Sequence, residues 1–272
     1  MKPLLLALTV ALGLTACQSV QTTNSGAVGV DRKQSMFIGI SEQQANQLAA
    51  QQYADDLSKA RGKGQLNVDQ RSLERLRAIA ARLIPQTAVF RADAPSWKWE
   101  VNLQSSDQLN AYCAPGGKIM FYSGLITKLK LTDDEIAAVM GHEMAHALRE
   151  HGREAMSRAY AQNTVLSIAA ATGKVGNDAL QLAELAGNYA WQLPNSRQNE
   201  TEADRIGLEL AARAGYDPNA AISVWHKMDR ASESGEPPQW MSTHPSHGSR
   251  VRDLEDKIPL VMPLYQEARG RK

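Results

Sequence analysis

His142-Glu143-Met144-Ala145-His146 is the stretch on which the reading of this chain turns. On an α-helix, positions four apart lie one turn along the same face, so both imidazoles reach one Zn²⁺. Glu143 is rotated about 100° from His142, which sets its carboxylate beside the metal's open position rather than among its ligands. A carboxylate placed there takes a proton from a water whose pKa the metal has lowered to roughly 7. The five-residue pattern occurs by chance in unrelated helices, so its context decides. Thr132-Asp133-Asp134-Glu135 is a capping box that starts a helix, and Ile136, Val139, Met140 and Ala147 give that helix an apolar face. The bland alternative is a partly buried helix with two unrelated histidines.

A catalytic zinc keeps three protein ligands and one open position. A third histidine six residues after the second is excluded, because Gly152 fills that slot and Arg149 stands where the accompanying glycine belongs. His151, five residues past His146, falls about 140° round a continuing helix and reads as a surface or capping histidine. Asn199-Glu200-Thr201-Glu202-Ala203-Asp204 is the better source. Glu200 and Asp204 lie one turn apart, so Glu200 can ligate while Asp204 orients a ligand histidine from behind. On the residues alone Glu202 competes with Glu200, and a solvated acidic face is the plain alternative.

The chain has 272 residues, 43% of them hydrophobic, and a formal net charge of +1. This is ordinary globular composition, and neither charge nor basic–aromatic patterning makes a case for nucleic acid. Lys2 and the apolar run Leu4–Leu14 read as a signal sequence, since about 20 residues are needed to span a bilayer. Leu14-Thr15-Ala16-Cys17 resembles a bacterial lipobox, in which Cys17 is lipidated after residues 1–16 are removed. Gln18 after the cysteine resembles the signal for the outer membrane, with the protein facing the periplasm. With Cys17 acylated, Cys113 has no partner within the chain and is expected to pack as a small apolar residue; a cross-chain disulfide is the alternative.

Residues 17–40, small and polar, read as a flexible tether, and 41–272 as one domain. A helix is expected from Ser41 to Gly62 with Leu48, Tyr53 and Leu57 inward, and a second after Asp69 that stops before Pro85. Strands are expected around Trp97–Leu103, Leu109–Cys113 and Lys118–Tyr122, with Pro115-Gly116-Gly117 between the last two. Ala155–Ala190 reads as two helices, core by default and a lid as the alternative. Asn195–Arg213 and a segment opened by Pro218 read as helices, Gly235–Gly248 as a loop, and Arg250–Lys257 as a short helix before a proline-broken tail.

These residues resemble the gluzincin peptidase family of the type-I CAAX prenyl protease, especially its soluble periplasmic members of the LoiP and BepA type. The resemblance rests on Asn110-Ala111-Tyr112, Pro115 to Ile119, Ser123-Gly124-Leu125, Glu135, the motif at 142–146, Asn199-Glu200 with Glu202-Ala203-Asp204, and Thr243-His244-Pro245-Ser246 with Arg250. It runs from about residue 70 to 256 in order and spacing. It implies an α+β, helix-dominated zincin-like domain with a small β-sheet, and it selects Glu200 as the third ligand. The expected site is then one Zn²⁺ per subunit on His142, His146 and Glu200, with Glu143 as general base. His244 or Arg250 is expected to stabilise the oxyanion, and His244 could alternatively fill the fourth zinc position as a latch. Gly116, Gly117, Lys118 and Ile119 are expected to bind substrate as an added strand. The expected activity is cleavage of unfolded or misassembled envelope proteins, with membrane contact through the lipid and the oligomeric state left open. A chaperone or assembly factor with a structural or latent metal site is the rival, and an esterase or amidase acting on cell wall or lipid a weaker one.

Overall fold

A computed structural model describes residues 17–171, 195–233, 239–244 and 248–270. The expected signal sequence, the second half of the alanine-rich stretch with its suggested lid, Pro245 and His247 lie outside the described residues. The elements begin with β1 (Cys17–Val20), β2 (Gln34–Phe37), α1 (Glu42–Gly62) and α2 (Gln70–Leu83). A small sheet follows, from β3 (Glu100–Gln104), β4 (Ala111–Ala114) and β5 (Lys118–Tyr122), and then α3 (Ser123–Lys128). The remainder is helical: α4 (Asp133–Leu148), α5 (His151–Ala171), α6 (Arg197–Arg213), α7 (Ala220–Glu233), α8 (Gln239–Thr243) and α9 (Gly248–Gly270). The architecture is therefore the helix-dominated α+β one expected. None of the described helices is long and apolar enough to cross a membrane.

α4 runs through the centre. Thr132 Oγ1 accepts the Glu135 amide at 3.3 Å and Glu135 Oε2 accepts the Thr132 amide at 2.8 Å, closing the capping box. Glu135 also accepts from Ser223 and Lys227 of α7, each at 2.6 Å, so the cap docks α4 on its neighbour. Every residue from Val139 to Leu148 is buried, the polar motif included. Against it packs α6, and the two backbones touch at Gly141 and Gly207, where a Cβ on Gly207 would stand 2.5 Å from the His142 amide nitrogen. Leu73, Leu76, Ile79 and Leu83 of α2 fill the core beside α4, each burial contributing about 1.5–3 kcal/mol.

The sheet order is β3-β5-β4, with β5 parallel to β3 and antiparallel to β4. β5 is thus the central strand, paired on both sides. The expectation that the Gly117–Tyr122 strand receives substrate as an added strand is corrected by this order, because its backbone donors and acceptors are already used. Gly116 and Gly117 make the β4–β5 turn with φ of +78° and +82°, and the Trp99 ring lies where a Gly117 side chain would begin, 2.7 Å away. Lys118 is tied to Glu100 at 2.7 Å, and Ile119 is fully buried. These four residues build the sheet; its edge strands are β3 and β4, and β4 lines the cleft described below.

Residues 17–40 are not a tether in this structure. β1 and β2 pair antiparallel, and Val28, Val30 and Met36 are buried. The short polar side chains that suggested solvation instead bond to the end of α4. Gln34 Nε2 donates to the Arg149 carbonyl at 2.6 Å, and Arg149 donates to Thr23 at 3.1 Å. Two smaller differences follow the same logic of partners over pattern. Leu48 is exposed, because α1 turns Ala45, Ala49, Tyr53 and Ala60 inward. The tail is one helix, α9, through Pro259 and Pro263. A helical proline costs about 3 kcal/mol. Buried Val261, with Ile258, Leu264 and Tyr265 packed on the core, offsets a loss of that size.

Candidate metal centre

One turn of α4 sets His142 and His146 side by side, with Nε2 atoms 3.1 Å apart. α6 brings Glu200 to them from across the glycine contact, 3.4 Å from His146 Nε2 and 3.5 Å from His142 Nε2. α8 delivers His244, whose Nδ1 lies 3.3 Å from His142 Nε2 and 3.0 Å from Glu200 Oε1. All four residues are buried, and one ligand atom from each falls within 4.8 Å of all the others.

The donor set fits a metal. His142 Nδ1 faces Asp204 Oδ1 at 3.0 Å, and His146 Nδ1 faces His151 Nδ1 at 2.8 Å. With ring protons directed to those partners, both Nε2 atoms face each other and a carboxylate, a place that a proton on His142 fills in the free protein and a cation would fill in the loaded one. Four atoms bound at 2.0–2.1 Å to a tetrahedral zinc stand about 3.3–3.4 Å apart, close to the separations here. Glu200 is fully buried, and its Oε2, which accepts no aligned hydrogen bond, faces Arg250 Nη1 at 2.7 Å and His142 Nε2 at 3.5 Å.

Charge in the cluster follows from position. Burial drives His146 well below its ordinary value, outweighing Glu200, with His142 and His151 adding to the fall, so it is held as the neutral, ligating form. Burial also lowers His142, but hydrogen bonds and charge from Asp204 and Glu200 carry it up to about 9. A metal at Nε2 therefore displaces a proton there. Burial raises Glu200, yet the His244 charge and the hydrogen bonds of three histidines take it well below the carboxylate range.

Glu143 lies next to this set, its Oε1 accepting from Trp240 Nε1 at 2.6 Å and standing 3.4 Å from His244 Nε2. Trp240 stacks on His244 with ring centres 4.7 Å apart, so α8 holds base and fourth donor together. Sequence reasoning missed Trp240; its place one helical turn before His244 was the available signal. Glu143, His146 and His244 open on a cleft of about 430 Å³ whose far wall is Tyr112 of β4 with Asp56 and Lys59 of α1.

Two expected roles change. Arg250, proposed for the oxyanion, is 2% exposed and committed elsewhere: it donates to both Asp204 oxygens at 2.6 and 2.7 Å and faces Glu200, with its guanidinium over the Trp225 ring. It fixes the two α6 carboxylates and is not turned to the cleft. His151 is buried against His146 rather than at the surface. Glu202 points away from the donor set, to Arg32, Arg149 and His151, which agrees with Glu200 as ligand. Cys113 is buried in β4, where burial pushes its thiol well up, as an inert apolar residue would be.

Residues 70–258 match the family described as peptidase family M48. The chain is similar to the mitochondrial metalloendopeptidase OMA1 of Schizosaccharomyces pombe, 37% identical over 163 residues, 60% of this chain and 47% of that protein. It is similar to the mitochondrial metalloendopeptidase OMA1 of Bos taurus, 34% identical over 179 residues, 62% of this chain and 34% of that one. It is also similar to the beta-barrel assembly-enhancing protease of Escherichia coli (strain K12), 30% identical over 190 residues, 66% and 38% of the two chains. The chain spans less than half the length of each of these three relatives.

Proposed function

The chain belongs to peptidase family M48, and from that premise we propose that it is a zinc-dependent endopeptidase of polypeptides. The observation that carries this is the buried four-donor set with Glu143 at its side. His142, His146 and Glu200 would hold the metal. When bound, zinc polarises the scissile carbonyl and acidifies water. Glu143 takes the proton from the attacking water and returns it to the leaving amine. Asp204 and Arg250 keep His142 and Glu200 in orientation. The outer edge of β4 runs along the cleft, so an extended peptide added there is read by its backbone, which suits unfolded substrates. Purified protein should cleave casein in a zinc-dependent way. Glu143→Gln should retain zinc and lose roughly 10²–10⁴ in rate; near-full activity with zinc bound removes Glu143 from the role.

His244 belongs to the resting arrangement. With its Nδ1 in the donor set, His244 would be a fourth protein ligand beside His142, His146 and Glu200, which favours a latent enzyme that opens when α8 moves. The same observation is what a chaperone with a closed metal site would display, and the casein assay separates the two. We further assign the substrates to unfolded or misassembled envelope proteins, on the lipobox-like sequence and the printed name of the Escherichia coli relative. Cys17 is exposed at the start of β1, so a lipid there would seat the domain directly at the membrane. Cys17→Ser should release the protein from the membrane fraction with catalysis intact; unchanged fractionation and mass overturn the anchor.

A further inference from the structure

The second metal histidine has its own support, and part of it comes from outside the family match. His146 turns Nε2 to the donor set, so Nε2 carries the lone pair and Nδ1 the proton. That proton meets His151 Nδ1 at 2.8 Å. On its other side, His151 Nε2 is 3.2 Å from Glu202 Oε2, and a carboxylate only accepts. One arrangement satisfies every atom: His146 donates to His151, and His151 donates to Glu202. Glu202 in turn receives the Arg149 guanidinium at 2.8 and 2.9 Å and the Arg32 guanidinium, whose Nη2 is 3.2 Å away. Arg32 also bridges to Glu154 of α5 at 2.6 Å. Arg149 and His151 are buried completely or almost so, and Glu202 is 6% exposed. This line mirrors the Asp204–His142 pair on the other ligand, with one imidazole inserted.

We propose that His151 is a positioning residue for the metal ligand His146, and that Glu202 and Arg32 hold it there, so that the segment ahead of residue 70 forms part of the metal site. The inference rests on the zinc reading above. An oriented, hydrogen-bonded imidazole is a better ligand, and removing such a partner typically costs 10–100-fold in metal affinity. His151 sits on a register that no continuous helix would give it: α4 ends at Leu148, and Glu150 takes a left-handed φ of +52° before α5 starts. That break turns His151 back toward His146, while Thr22 and Gln34 bond the Arg149 carbonyl and Arg32 bonds Glu202, the partner of His151.

The test is zinc affinity of the full chain by competition with a chromophoric chelator, together with the visible spectrum of the Co²⁺-loaded protein. His151→Phe keeps ring volume and removes both hydrogen bonds; its zinc dissociation constant should rise about 10–100-fold, with a changed cobalt spectrum. His151→Asn restores an acceptor near the Nδ1 position and should recover part of the loss. Arg32→Met and Glu202→Gln should each weaken zinc by a smaller factor. Leu76→Ala, a core change in α2 that removes no hydrogen bond of the ligands or their partners, controls for stability and should lower the melting temperature while leaving zinc affinity at the parent value. Parent-like affinity and spectrum in His151→Phe overturn the proposal, as does an equal loss in Leu76→Ala. If His151→Phe does not fold by circular dichroism, His151→Asn and Arg32→Met decide in the same way, and parent-like affinity in both overturns it. A parent chain that binds no zinc would instead take down the metal reading itself.

Discussion

Gly207→Ala tests whether the distance between α4 and α6 sets the metal centre. A Cβ on Gly207 would lie 2.5 Å from His142 N and 2.8 Å from both Gly141 C and His142 Cα. All three atoms are backbone, so no rotamer change relieves them, and carbons in contact prefer about 3.5–4.0 Å. The helices must part locally by about 1 Å. Two effects oppose each other. Alanine gains about 0.5–1 kcal/mol over glycine in a helix, while overpacking a close contact costs about 1–3 kcal/mol. At mid-range values the clash wins by about 1 kcal/mol, or roughly 2–4 °C in melting temperature for a domain of this size. Glu200 lies seven residues before Gly207, two turns along the same face, so the parting also moves its carboxylate from the imidazoles. A 1.4 kcal/mol penalty on the bound ion is about tenfold in zinc affinity. Melting should be measured with zinc chelated, because bound zinc raises the transition by mass action, and affinity by chelator competition. A variant that melts at or above the parent and binds zinc equally well would refute the claim that this contact sets the ligand spacing.

His244→Ala should raise basal cleavage of a loosely folded substrate such as casein, because Nδ1 of His244 stands among the donors in this structure. If the residue stabilises the oxyanion instead, the rate falls roughly 10²–10³, and a parent-like rate on several substrates removes both roles. Glu202 carries a pH signature in the zinc-free protein. Burial raises its pKa, but hydrogen bonds from His151 and Arg32 and the Arg149 charge bring it down from 4.5 to about 2. A carboxylate depressed on folding stabilises above its unfolded value, and that stabilisation is lost as pH falls from 4.5 toward 2. The difference is worth about 3 kcal/mol. The stability gap between parent and Glu202→Gln, read by urea unfolding, should therefore shrink to less than half between pH 7 and pH 3. A gap independent of pH counts against the ion pairs of Glu202.

What was legible in the sequence was local. A capping box, an Asp or Ser N-cap, and donors at i and i+4 are decided by the helix itself, so Thr132, Asp69, Ser41, the His142–His146 pair and the Glu200–Asp204 pair were readable without neighbours. Glu200 against Glu202 was not decided by the residues, since two carboxylates two apart on an amphipathic helix both have plausible faces. The packing decides it: Glu202 faces Arg32 and Arg149, Glu200 the imidazoles. Edge and centre in the sheet were equally hidden. β4 and β5 follow one another around a tight turn, and only the pairing of β3 on the far side of β5 makes β5 central and leaves β4 at an edge.

His151 is the most instructive miss, because the argument used for it was sound on its premise. Counting about 100° per residue from His146 assumes that one helix continues through residue 151. It does not. The chain leaves α4 at Leu148 and passes Glu150 in the left-handed region, which for a residue other than glycine costs roughly 1–3 kcal/mol. Such a conformation persists only where the surroundings hold it. Here Arg91 and Arg153 clasp the Glu150 carboxylate at 2.9 and 2.6 Å, and Gln34 ties down the Arg149 carbonyl. Those partners come from a loop, a second helix and a segment that composition alone marked as solvated. The angular position of His151 is thus a property of these three pieces of chain, and its contact with His146 follows from their assembly rather than from any spacing along the motif.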